Sequence, residues 1–142
     1  MNKNFALILA VLFSYRSFAG GLPVDTEVTY ENAGKYQFSV QNIDSGGPDT
    51  LLYQVQFSKN LGTCEVGRVQ TALYADGREI SSSSMDYRVQ SEKPSLLAHF
   101  PAKSHDLAVT IQYCCTLGLA PGCKKSLSIN SLKGWHSAAN GS

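Results

Sequence analysis

From Asp106 onward apolar and polar side chains alternate, with Leu107, Val109, Ile111 and Tyr113 on one parity and Ala108, Thr110 and Gln112 on the other. A period of two over this length predicts a strand with one face buried and one face wet. The same pattern recurs upstream. Leu51, Tyr53, Val55 and Phe57 alternate with Leu52, Gln54 and Gln56, and Tyr36, Phe38 and Val40 alternate with Gln37, Ser39 and Gln41. Leu96, Ala98 and Phe100 oppose Leu97 and His99 before Pro101 closes the run. Residues 24–31 form a further candidate strand, and Leu127 and Ile129 mark a final one over 126–132.

A long strand is expected over 64–75. Within it Cys64 and Val66 share one parity while Val69, Thr71 and Leu73 share the other, and Gly67 lies between them. A bulge at Gly67 would bring both sets onto one face. Asp76-Gly77 is a tight-hairpin dipeptide that folds 78–81 back on this strand. The serines at 81–84 read as a polar surface linker, 85–90 as a short strand, and 134–142 as a frayed tail that Trp135 could dock. Turn residues separate the strands, and no stretch after residue 19 follows a helical period. The expected fold is all-β, an antiparallel β-sandwich of about eight strands with an immunoglobulin-like architecture, braced by disulfides.

The first residues follow a different logic. Lys3 precedes the apolar run Phe5-Ala-Leu-Ile-Leu-Ala-Val-Leu-Phe13, and small residues stand at Ser17 and Ala19. This reads as a signal peptide over 1–19, followed by one β-sandwich domain over 20–133 and the tail. Arg16 interrupts the run short of the roughly 20 apolar residues a bilayer span needs. The expected location is therefore outside the cell or in a periplasm, with no membrane span. Cleavage takes Lys3 and Arg16 from the 12 basic side chains and leaves all 11 acidic ones, a near-neutral balance with no pull toward nucleic acid.

Export changes the meaning of the four cysteines, because thiols pair in an oxidising compartment. Cys115 continues the apolar parity of its strand and Cys114 falls on the polar parity, so their sulfurs leave toward opposite faces and do not bond to each other. The favoured pairing joins Cys64 to Cys115 through the core and Cys114 to Cys123 across the following loop. The alternative, Cys64 with Cys114 and Cys115 with Cys123, stays open. In the chain-entropy account a crosslink spanning about 50 residues contributes roughly 4 kcal/mol, and one spanning about nine contributes roughly 2.5. Tyr113-Cys114-Cys115 is similar to the Tyr-x-Cys of immunoglobulin domains, with Cys64 as the earlier cysteine. No tryptophan lies between the cysteines, so the likeness is one of architecture and not of family.

The shorter crosslink would pin Thr116-Leu-Gly-Leu-Ala-Pro-Gly122, which has two leucines and no charge, just ahead of Lys124-Lys125. A loop held at the end of a rigid framework loses little further entropy on docking. Leu117, Leu119, Lys124 and Lys125 are thus the candidate binding residues, with another protein as the expected partner at 116–125. The competing role for the leucines is to cap the core.

No spacing recommends a catalytic group, a metal site or a cofactor. The serines lack a strained nucleophile turn, and the carboxylates occur singly. His99 and His105 flank a turn and could meet near Asp106, which keeps a small hydrolase or metal-binding protein as the alternative. A lipid or glycan carrier is a further one.

Overall fold

The computed structural model describes residues 24–87, 91–116 and 122–141. The segment read as a signal peptide, and Leu117 and Leu119, lie outside them. Among the described residues, nine strands and two helices follow in order: β1 Val24–Glu27, α1 Ala33–Tyr36, β2 Ser39–Ile43, β3 Thr50–Gln56, β4 Asn60–Leu61, β5 Cys64–Ala75, β6 Arg78–Asp86, β7 Ser95–Pro101, β8 His105–Cys115, β9 Gly122–Ile129 and α2 Leu132–Asn140.

The strands form two sheets. The larger has the order β1-β9-β8-β5-β4, with β6 also paired to β5, and the smaller is β2-β3-β7. The larger sheet is strongly curled. It is also mixed and not purely antiparallel, because β1 runs parallel to β9, with Val24 opposite Lys125 and Glu27 opposite Ser128. Parallel neighbours need a long connection, and here almost the whole described chain supplies it.

The alternating runs bury the faces they predict. Tyr53, Val55, Ala98 and Phe100 from the smaller sheet, with Phe57 just past the end of β3, join Val66, Val69, Leu107, Val109, Ile111, Tyr113, Leu127 and Ile129 from the larger in one buried cluster. Tyr53 and Phe100 stack with ring centroids 5.9 Å apart. Fully burying a side chain of this size contributes about 1.5–3 kcal/mol, which makes the cluster the main source of stability.

The bulge at Gly67 is present, since the β5–β8 register shifts between Val66 and Arg68. The hairpin at Asp76-Gly77 is present as well, both residues having positive φ, 49° and 77°.

Four segments depart from the expectation. The first strand stops at Glu27, where the Asn32 side chain accepts from the Thr29 amide and donates to the Glu27 carbonyl, closing a turn. Residues 33–36 are helical, and Gln37 takes a left-handed φ of 57° that swings Phe38 back into the core. Tyr36 and Phe38 therefore share a core face through a chain reversal, which mimics a period of two.

The serine run is no linker. It lies within β6, a strand of nine exposed residues in which Ser82 opposes Ala72 and Ser83 opposes Thr71. Pairing with β5 overrides the low strand propensity of serine.

The fourth departure is the C-terminus, which is a helix and not a frayed tail. Ser131 caps it by accepting from the Gly134 amide at 2.8 Å. Leu132 and Trp135, three residues apart, face the core at 0% and 7% exposure. Asp106, at the start of β8, anchors this end. It accepts from the Ser131 hydroxyl and from the Lys133 amide at 3.2 Å, while the Lys133 ammonium donates to the Ala102 carbonyl at 2.8 Å. A carboxylate suits a helix N-terminus, where free amides and the helix dipole both favour negative charge.

Two predictions follow from these anchors. Asp106→Ala leaves the Ser131 hydroxyl and helix amides without their acceptor and should cost about 1–3 kcal/mol. Because Trp135 is the sole tryptophan, its emission should shift to the red at lower denaturant than the far-ultraviolet dichroism is lost. Coincident transitions would mean that the helix is not held at this point.

The buried Tyr113 hydroxyl donates to the Ser58 carbonyl at 2.8 Å, and burial pushes its phenol well above the ordinary value. Tyr53 is also raised, by burial first and by the Asp106 charge second. A phenol raised in the folded state contributes stability below its ordinary pKa of about 10, and that contribution is lost as pH rises past it. Denaturant melts should thus show stability falling above pH 10 or so, with a shallower fall in Tyr113→Phe.

Candidate functional site

The cysteine end is built on three neighbouring strands. Cys64 on β5 is opposite Cys115 on β8, Glu65 is opposite Cys114, and Cys115 is in turn opposite Gly122 on β9. Cys64 is bonded to Cys115, with Cα atoms 4.1 Å apart, and Cys114 to Cys123, with Cα atoms 3.8 Å apart. This is the favoured one of the two pairings that the sequence left open, with one geometric correction. The Cys64–Cys115 bond does not pass through the core from one sheet to another. It ties adjacent strands of the same sheet, unlike the inter-sheet bridge of an immunoglobulin domain.

Gly67 makes the second bond possible. A Cβ at Gly67 would stand 2.2 Å from the Cys114 sulfur and 3.8 Å from that of Cys123. The Cys114–Cys123 bridge therefore lies over bare backbone, at the residue that the bulge adds to β5. The bridge also draws β9 alongside β8 from Gly122 onward, which is why that strand starts earlier than the hydrophobic pattern at Leu127 indicates.

Of the candidate binding residues, Leu117 and Leu119 fall between the described ends of β8 and β9. Lys124 has its backbone in β9, and its side chain is outside the described set. Lys125 is exposed on β9. What the structure brings together is the frame of the loop. Thr116 leaves from Cys115 and the chain returns at Gly122, positions that face each other across the ladder.

Compared with family models, with curated proteins and with solved structures, the chain matches none.

The histidines do not converge. His99 is exposed on β7 opposite Leu52 in the smaller sheet. His105 begins β8 in the larger one, its Nδ1 2.7 Å from the Lys103 carbonyl. His136 sits on α2 against the Tyr53 ring and 2.9 Å from the Asn140 amide nitrogen. Asp106 serves the helix and orients no imidazole. Among the described residues there is no group of three or more His, Cys, Asp or Glu side chains that could hold a metal ion.

Docking of α2 creates two clefts that the linear pattern did not reveal. One, of about 490 Å³, is lined by Tyr74, Gly77, Ser104, His105, Asp106 and Lys133, among others. The other, of about 250 Å³, runs between the turn after β1 and the helix, where Tyr30 meets Trp135 edge to face. The available signal was Ser131 ahead of Leu132 and Trp135, a helix cap followed by apolar residues at helical spacing.

Gly67→Ala should prevent the Cys114–Cys123 bond or push the strands apart. Peptide mapping without reduction should then recover free Cys114 and Cys123, or unfolding should show a loss of stability. In a Cys114→Ser, Cys123→Ser background the same change should cost much less, a coupling of about 1–3 kcal/mol. Additive costs in the two backgrounds would show that Gly67 is needed for another reason.

Proposed function

We propose that this protein is an exported interaction module, secreted or periplasmic, whose disulfide-braced end contacts another protein through residues 116–125. On this reading the curled sheet and the three-stranded sheet are the two layers of a β-sandwich. The observation that carries it is the convergence of both disulfides on the strand ends that frame the loop. Each bridge crosses between neighbouring strands, so the ends of the loop are fixed relative to β5 and to each other. Thr116-Leu-Gly-Leu-Ala-Pro-Gly122 then offers an uncharged, leucine-bearing segment at low ordering cost, with Lys124 and Lys125 beside it. Two bonded pairs also suit an oxidising compartment, in keeping with the signal-like residues 1–19. No helix among the described residues is long and apolar enough to cross a membrane.

Leu117→Ser combined with Leu119→Ser tests the assignment. The partner is first identified by crosslinking and mass spectrometry in extract from the native compartment, then purified. The double variant should bind it roughly tenfold or more weakly, the loss of about 1.4 kcal/mol or more of apolar contact, with its melting temperature nearly unchanged. A collapse in melting temperature with binding intact in the refolded protein would make the leucines part of the core and end this reading.

A further inference from the structure

The smaller of the two clefts beside α2, about 250 Å³, has a corner made of two aromatic rings. Tyr30, on the turn after β1, and Trp135, on α2, both line it, with their rings at 89° to each other and centroids 6.2 Å apart. Perpendicular neighbouring rings each turn a face to the space between them. A group seated there lies within about 6 Å of both centroids, the range over which a ring face attracts a cation. Val28 and Ile129, both buried, give the cleft apolar backing. Gly134 and Ala138, one turn apart on α2, add little bulk, and Tyr30 is 43% exposed, so the corner is reached from solvent.

Charge sets the sign of the occupant. Glu27 and Glu31 are the charged side chains among the described residues that line the cleft; both are exposed, and neither is in an ion pair with another described residue. Its own backbone amide and the Thr29 side chain hold the Glu31 carboxyl below the ordinary value, which keeps it charged. The start of α2 does not oppose a positive ligand, because its amides are already engaged. Lys133 donates to Asp106 at 3.2 Å and Gly134 to the Ser131 hydroxyl at 2.8 Å, while the Lys133 ammonium is held at the Ala102 carbonyl. A metal ion needs several ligands converging on one point. Among the described residues no three His, Cys, Asp or Glu side chains are grouped to supply them. An alkylated ammonium asks for something else: apolar contact around its methyl groups, ring faces, and negative charge nearby.

We propose that this cleft binds a quaternary ammonium group of the choline kind, its methyl groups in the Tyr30–Trp135 corner and its charge balanced by Glu27 and Glu31. The volume is below the roughly 300 Å³ at which pockets for drug-sized ligands begin. It suits a compact head and leaves whatever the head is attached to outside. That head is carried by soluble compounds and by lipids alike.

The test is titration of the disulfide-intact chain with choline over a micromolar to millimolar series, and with its uncharged isostere, in which carbon replaces the nitrogen. Trp135 is the sole tryptophan, so its emission reads the site directly, and calorimetry reads binding independently. Choline should bind saturably and roughly tenfold or more tighter than the isostere. Tyr30→Leu, and Glu27→Gln combined with Glu31→Gln, should each weaken it roughly fivefold or more. Melting temperatures should stay close to the native value, since all three side chains are exposed. Flotation with phosphatidylcholine vesicles that choline competes away would place the head on a lipid, and choline binding without flotation would place it on a soluble compound. Emission and heat that never saturate would overturn the proposal. Equal binding of the isostere would overturn it too, by reducing the cleft to an apolar hole, and so would binding indifferent to both sets of substitutions, by placing it elsewhere.

Discussion

Where β5 and β8 run side by side, Cys64 faces Cys115 at one end and Ala75 faces His105 at the other. A register held over that length leaves little freedom to what is attached. The apolar residues of both strands reach the core face together because the extra residue at Gly67 absorbs the change of parity on β5. Without it, either Cys64 and Val66 or Val69 and Leu73 would face water. The covalent tie then holds the strands against sliding at the end where the ladder is irregular.

The two ends of β8 are finished by different chemistry. At its start a single carboxylate gathers a serine hydroxyl and a helix amide, so a strand terminus becomes the seat of the C-terminal helix. At its close, consecutive cysteines point to opposite faces and bind different neighbours, β5 on one side and β9 on the other. The first arrangement is polar and reversible. The second is covalent, and it stands where the proposed contact loop departs. Ends already fixed by covalent bonds have less conformational freedom left to lose in any later association.

The surfaces divide along the same lines. The braced end holds both disulfides on the ends of β5, β8 and β9, the helix end offers polar and aromatic clefts, and β6 is exposed along its length.

Much of this was legible from residue order. Alternation at 51–57, 95–100 and 106–113 identified strands and their buried faces, because a half-wet strand must repeat every second residue. The opposite parities of Cys114 and Cys115 argued against a bond between the two and left two pairings open, and Asp76-Gly77 marked a hairpin through its backbone conformation. What tertiary structure decided was every feature whose cause lies far along the chain. Ser81 to Ser84 form a strand only because β5 presents a ladder to them, and β9 begins at Gly122 only because a sulfur bridge brings it there. β1 can run parallel to β9 because the long stretch of chain between them serves as the connection that such a pair needs. The helix at 132–140 is fixed by a carboxylate on β8, and that helix encloses the clefts. Local pattern records what each segment must bury, whereas pairing partners and covalent ties depend on which segments meet, and that is a property of the folded chain alone.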